Sequence, residues 1–456
     1  MPKAALKIVA SQLAGRPWLL YSVIGLVWGV LILSTLIVRQ KIYTGSWPLH
    51  HSLAYPGEII DYFEKISIDW RFMIRGSEAA PTDIVILKID DDSLIGTGNL
   101  FDEEDFKRDP DLKLLQSYPY PREAWAKIIK RMVDAGARAI ATDVIFATPS
   151  NYGEQDDLLL QKSLVNHANR LILAATYRPG DPERGETMYF LQPNEALMEP
   201  FQDPTEIIGI ANFDYRERSI IRTAKTRCEI PPGSGEVYSS LAALTAKKAE
   251  LKADASPDEF SINFAGPASS FQSISLYKIF FSPDWKGRTN EKGEIEGGTL
   301  QEGKFFKDKI VLIGATASVL QDFHATPFGT MAGVEIHANV LANFYARPIF
   351  KEFTGWWILL LIGALQGLLI SFFGRPLMKI IPGVVFLFII GWVSQYSFTH
   401  WHLITPMFTP WIIAALTSVS ITTWQAASEF LARQKTRKTL ETYVSPNVAE
   451  FILQHQ

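Results

Sequence analysis

Carboxylates and imidazoles gather at two places along the sequence. Asp90-Asp91-Asp92-Ser93 closes a short β-branched run, Asp83 to Asp90 (DIVILKID), and Asp143 lies near the end of a second run, Ala137 to Phe146. The carboxyl ends of strands are where open α/β sheets bind ligands, so Asp90, Asp91 and Asp143 are candidate contacts to a polar ligand. Helix caps and turns account for each Asp as well. Farther on, Asp322-x-His324 and Glu335-x-His337 combine oxygen and imidazole donors that suit a divalent metal. The competing reading makes Glu335 and His337 hydrogen-bonded residues at the start of a helix. Gly314-Ala315-Thr316-Ala317-Ser318 follows a strand but lacks the Lys and Ser/Thr that grip phosphate. No nucleophile elbow, Ser-His-Asp order or HExxH pattern occurs, which speaks against a catalytic outer domain.

These residues need a scaffold, and the pattern around them is an alternating one. Trp125, Ile128, Ile129, Met132 and Val133 keep helical spacing between Pro121, suited to a first turn, and Gly136, suited to a stop. With the flanking runs this makes a strand-helix-strand unit. Strands are also expected at Arg170 to Thr176, Ile207 to Phe213, Phe260 to Phe264 and Lys309 to Gly314, with helical stretches near Val237 to Glu250 and Ile274 to Phe280. Such alternation predicts an α/β domain with a largely parallel sheet. Segments 96–118, 178–204 and 282–304 read as loops.

Composition places this domain beside a membrane. The 456 residues are 47% apolar and 20% charged, with mean hydropathy +0.07, too greasy for a wholly soluble chain and too polar for an all-membrane one. A net charge of −4 gives no footprint for nucleic acid, and the single cysteine, Cys228, excludes a disulfide scaffold. Trp18 to Val38 is uncharged and long enough to cross a bilayer, and 356–373, 380–398 and 404–424 are three further candidate spans. Lys3, Lys7 and Arg16 precede the first span, Arg375 and Lys379 join the second and third, and Arg433, Lys435, Arg437 and Lys438 follow the fourth. The positive-inside rule then puts both termini in the cytoplasm and residues 39–355 outside. The expected layout is a basic N-terminus (1–17), a span (18–38), the outer domain (39–355), three spans and a cytoplasmic segment (425–456). Gly25 with Gly29 and Gly363 with Gly367 form GxxxG pairs, for packing within one four-helix bundle or at a dimer seam.

Several motifs of the outer segment, in order, resemble the second type of CHASE sensor domain over roughly residues 55–345. They are Asp69-Trp70-Arg71-Phe72 with Arg75-Gly76, Ile89-Asp90-Asp91-Asp92-Ser93-Leu94, Pro119-Tyr120-Pro121-Arg122 and Gly136-Ala137-Arg138-Ala139-Ile140. Asp143-Val144-Ile145-Phe146, Lys309-Ile310-Val311-Leu312-Ile313-Gly314 and Gly333-Val334-Glu335-Ile336-His337-Ala338-Asn339 complete the set. The resemblance implies an α/β extracytoplasmic sensor domain of a bacterial signalling protein, one helix before it and three after, with an unidentified ligand.

The tail, Tyr443-Val444-Ser445-Pro446-Asn447-Val448-Ala449-Glu450-Phe451-Ile452-Leu453, is similar to the linker leading into the catalytic domain of class III adenylate or guanylate cyclases. What this implies is a receptor whose cyclase domain would follow Gln456. No position of this chain takes a catalytic role, and Mg or Mn with ATP or GTP is expected only for that attached domain. The expected partners are an extracytoplasmic ligand, membrane lipid and a second copy in a homodimer, with no nucleic acid. The expected location is the inner (plasma) membrane, multi-pass. Two rival readings stay open: a stand-alone membrane interaction protein and the receptor portion of a kinase.

Overall fold

The computed structural model describes residues 16–47, 50–94, 100–180, 188–213, 220–251, 257–289, 295–296, 298–375 and 377–443. Lys3, Lys7 and the tail expected to cap a helix at 445–446 lie outside the described residues. The chain begins with helices α1 (Pro17–Tyr43) and α2 (Tyr55–Arg75). Next come β1 (Ile84–Ile89), α3 (Arg122–Asp134), β2 (Ala139–Asp143), α4 (Glu154–His167) and β3 (Leu171–Pro179). They are followed by β4 (Met188–Leu191), β5 (Ile208–Ile210), α5 (Leu241–Lys248), β6 (Gln272–Ser275) and β7 (Ile310–Ala315). A hairpin of β8 (Phe323–Thr326) and β9 (Gly329–Ala332) leads into α6 (Gly333–Asn343). Three helices close the chain: α7 (Ile358–Ile370), α8 (Ile380–Trp401) and α9 (Phe408–Tyr443). Two compact units result, one of residues 76–350 and a helical one of the segments on either side.

In the first unit β6, β1, β7, β2, β3 and β5 lie side by side, all parallel, and β4 runs antiparallel along the end of β3. The central strand β7 is the last in sequence, paired with β1 from Ile84↔Ile310 and with β2 from Ile310↔Ala139. Near-continuous Ile, Val and Leu in β1 and β7 follow from burial of both faces. Val85, Leu87, Ile89, Val311 and Ile313 join Trp125, Ile128, Met132, Leu160 and Leu164 of α3 and α4 in one core. The alternate residues Ile84, Ile86, Ile310 and Leu312 are equally buried, on the face where α6 crosses β7 and β1.

Three expected elements differ, the first being the helical stretch near Val237 to Glu250, which opens with a short strand, Val237–Ser239, and turns helical only at Leu241. The segment expected as a strand from Phe260 pairs instead with Thr223–Lys225, antiparallel and outside the main sheet. Ile274 to Phe280, read as helical, begins inside the edge strand β6 and continues as a single 3-10 turn, Leu276–Ile279. Leu276, Ile279 and Phe280 carry helical spacing, but over one turn only. Short elements also occupy the segments read as loops, among them Glu103–Arg108.

In the helical unit α1 and α7 touch backbone to backbone. A Cβ on Gly25 or on Gly363 would overlap the carbonyl oxygen of the other, one on Gly367 would overlap that of Tyr21, and one on Gly29 would lie 3.2 Å from that of Leu359. The two GxxxG motifs therefore face each other within one chain. Gln366 donates to Ala414 O (2.8 Å) and Ser418 Oγ (3.0 Å), and Gln395 to Thr399 Oγ1 (3.1 Å). The helix α2, carrying the Asp69-Trp70-Arg71-Phe72 motif, belongs to this unit. Asp61 accepts from Arg39 at 2.7 Å, and Glu64 caps the start of α9 by accepting from the amides of Met407 (2.9 Å) and Thr409 (2.5 Å). The compact unit of residues 76–350 thus starts later than the expected 39.

Four spans were expected, and among the described residues two helices, α1 and α8, are long and apolar enough to cross a membrane. The helix α7 is apolar but has 13 residues, about 20 Å at 1.5 Å per residue, against a hydrocarbon core of roughly 30 Å. The fourth expected span starts within a short strand, Leu403–Ile404 on Lys351–Glu352, before α9 begins at Phe408. Thr409, Thr417, Ser418, Ser420, Thr422 and Thr423 lower the apolarity of that helix. Basic segments of this unit gather at one end. Lys379 donates to the Tyr21 hydroxyl near the start of α1 (2.8 Å), and Gln425 of α9 donates to Gly374 O of the same link (3.1 Å).

Candidate functional site

At the carboxyl edge of the parallel sheet, β2 ends in Asp143 directly opposite Gly314 of β7. On Gly314 a Cβ would lie 2.6 Å from Val334 Cβ and 3.1 Å from Asp143 Cβ, so only glycine lets α6 cross the strand this closely. Its crossing aims His337 at Asp143. The imidazole is 4% exposed, its Nε2 is 3.9 Å from Asp143 Oδ2, beyond hydrogen-bond reach, and that nitrogen has no other partner. Phe213, just beyond β5, packs on the His337 ring (4.5 Å between centroids) and meets His324 edge-on (5.4 Å). His324 Nε2 in turn pairs with Asp322 Oδ1 at 2.9 Å.

Burial sets the charge of this cluster. It pushes the Asp143 carboxyl up to about 8, helped by the nearby Asp322, and pushes the His337 imidazole down to about 4 in spite of Asp322. A protonated acid therefore faces a neutral imidazole at neutral pH. The opposite side of α6 is saturated with bonds. Glu335, Asn339 and Asn343, four residues apart, accept from the amides of Ser269 (2.8 Å), Ala265 (2.8 Å) and Asn263 (2.9 Å). Arg347 completes the ladder on Asn263 O (3.1 Å) and Glu78.

Of the expected metal ligands Asp322, His324 and His337 lie near one another and Glu335 does not join them. Glu335 points to Ser269, away from Asp322, His324 and His337, and among the described residues no three His, Cys, Asp or Glu side chains could hold an ion. Asp143 is instead the acid that meets His337. The other two expected ligand contacts do not join it. Asp90 accepts from Ser93 N (3.1 Å), Ser93 Oγ (2.7 Å) and Ser275 Oγ (2.5 Å), and so acts as a cap and strand tie. Asp91 is exposed in the first turn of the short helix Asp91–Leu94. Phe213 was not singled out in the sequence; its position ending an expected strand at the same sheet edge was the available signal.

A largely parallel α/β unit with buried polar groups at its carboxyl edge, in one chain with long apolar helices, has the layout of a sensor in a receptor. Residues 47–386 match the CHASE2 domain family, and the chain belongs to that family. CHASE2 is an extracellular sensor domain of signalling receptors. No curated protein and no solved structure matches the chain.

Proposed function

We propose that the chain is the receptor portion of a class III nucleotidyl cyclase, with its CHASE2 unit outside the membrane and its output in the cytoplasm. The observation that carries this reading is α9. It runs unbroken for 36 residues, about 54 Å, from the apolar helices to Tyr443, where the cyclase-like linker sequence starts. Clustering of the start of α1, the 374–379 link and Gln425 at one end of the helical unit supports a single cytoplasmic face. An envelope ligand that distinguishes two states of the sensor would shift α9 and reset a cyclase homodimer, with Mg or Mn and ATP or GTP bound in the catalytic domain. The test is cyclic nucleotide production from ATP and from GTP by membranes carrying the chain extended into whatever reading frame follows. Synthesis by the extended protein and not by this chain alone is the expected result. An extended, membrane-stable protein that makes neither nucleotide overturns the cyclase assignment.

A further inference from the structure

Past Asp143, where β2 ends, the chain runs on through Val144, Ile145 and Phe146 into a loop that folds back over the start of α3. Between them lies a cavity of about 150 Å³. Five aromatic residues wall it: Tyr118, Tyr120, Trp125, Phe146 and Tyr152. Tyr118 and Tyr120 meet edge to face at 5.2 Å between centroids, as do Trp125 and Phe146.

Among the described lining residues Arg122 is the one charged side chain, and the protein neutralises it. Its Nε donates to Asp157 Oδ1 (3.2 Å), its Nη2 to Thr148 O (2.7 Å), and its guanidinium lies over Phe146 at 4.7 Å. The neighbouring acid is engaged too, since Asp156 accepts from the amides of Arg122 (2.7 Å) and Glu123 (2.8 Å). Burial raises the Tyr118 and Tyr120 hydroxyls above their ordinary range, so both stay neutral. An ionic ligand would lose its hydration here without gaining a counter-charge, which is costly. Flat aromatic faces suit a ring with apolar faces, and Thr148, Asn151 and Tyr152, each carrying a hydroxyl or amide, are consecutive or near neighbours in the loop that lines the same cavity. Apolar faces combined with a hydroxyl-bearing edge describe a pyranose.

We propose that this cavity is the ligand site of the sensor unit and takes an uncharged sugar ring, its C–H face on the aromatic wall and its hydroxyls toward Thr148, Asn151 and Tyr152. The assignment deepens the sensor reading and is independent of the cyclase output, because binding is read on this chain itself.

The test is saturation-transfer NMR on the full chain in nanodiscs, free of sugar-based detergent. Probes are glucose, galactose and N-acetylglucosamine, the charged analogues glucuronate and glucosamine, β-1,4-linked oligomers of N-acetylglucosamine, and indole as an aromatic competitor. At least one neutral sugar should bind, with the charged analogues at least about tenfold weaker. Tyr152 and Asn151 are exposed, so Tyr152→Ala and Asn151→Ala should leave the unfolding temperature in place, and Tyr152→Ala should weaken binding by about tenfold. Preference for linked oligomers would point to a wall glycan and preference for monosaccharides to a diffusible sugar, either of which supports the site. No saturation transfer to any neutral sugar, tighter binding of indole, or affinities unchanged by both substitutions would overturn it.

Discussion

Between α1 and α7 glycines bring two backbones together, and the amide of Gln366 finds Ala414 O and Ser418 Oγ across the bundle. Where α6 crosses β7 a single glycine, Gly314, brings a helix onto a strand and leaves the buried His337 Nε2 without a partner beside a protonated Asp143. Both regions rest on the same steric device, and each leaves a buried polar atom without a partner, Gln366 Oε1 in the first and His337 Nε2 in the second. The difference is charge: at the sheet edge the open nitrogen is a titratable imidazole 3.9 Å from an acid that burial pushes up to about 8, whereas the Gln366 amide carries no titratable proton. Within α6 itself the two faces differ. The face carrying Glu335, Asn339 and Asn343 ties down backbone, while the face carrying His337 leaves a nitrogen open.

The contrast can be broken by substitution. Gly363→Leu should have the largest effect, because a side chain there meets the Gly25 backbone and neither helix can yield. Loss of more than about 4 kcal/mol is expected, read as loss of the cooperative unfolding transition in detergent. An unchanged transition would remove the α1–α7 seam. On the bonded face of α6, Asn343→Leu strands the buried amide of Asn263, with an expected cost of about 3 kcal/mol in denaturant unfolding.

On the open face the expected signature is in pH. Asp143 has a folded value of about 8, raised from 3.8, so its contribution to stability is complete below about pH 4 and is lost as pH rises toward 8. His337 runs the other way, depressed from 6.5 to about 4, so its contribution is complete above about pH 6.5 and is lost as pH falls to 4. Asp143→Asn keeps the shape and removes the first dependence. Its stability relative to the parent should grow between pH 5 and 7 by up to about 1.4 kcal/mol per pH unit and show no such growth below pH 4. A flat difference across that range would place a charged Asp143 in the fold. Asp91→Ala should be the smallest change, within about 0.5 kcal/mol and without effect on ligand response, since that side chain is exposed.

Much of the scaffold was legible because its signals are local. The apolar runs of β1 and β7, the face Trp125-Ile128-Ile129-Met132 and the stop at Gly136 each declare themselves within one element, and all appear where expected. The edge strand β6 was not, because a four-residue strand followed by one 3-10 turn has too few residues to establish a period. The site was half legible for a different reason. Acids at strand ends could be found, but pairing Asp143 with His337, and sending Glu335 to Ser269, depends on the side of α6 that each residue occupies and on how closely Gly314 admits the helix. The aromatic cavity joins residues from 118 to 152, from the start of a helix and the loop that follows a strand, and no spacing along the chain announces it.

The central claim is a receptor whose CHASE2 unit faces outward. The chain has one cysteine, so Cys228→Ser leaves a blank background in which Ser234→Cys, on an exposed turn, reports the location of the unit. Intact cells are treated with a membrane-impermeant maleimide before and after permeabilisation. The account predicts equal labelling in both; labelling that appears only after permeabilisation would put the sensor unit on the cytoplasmic side and contradict it.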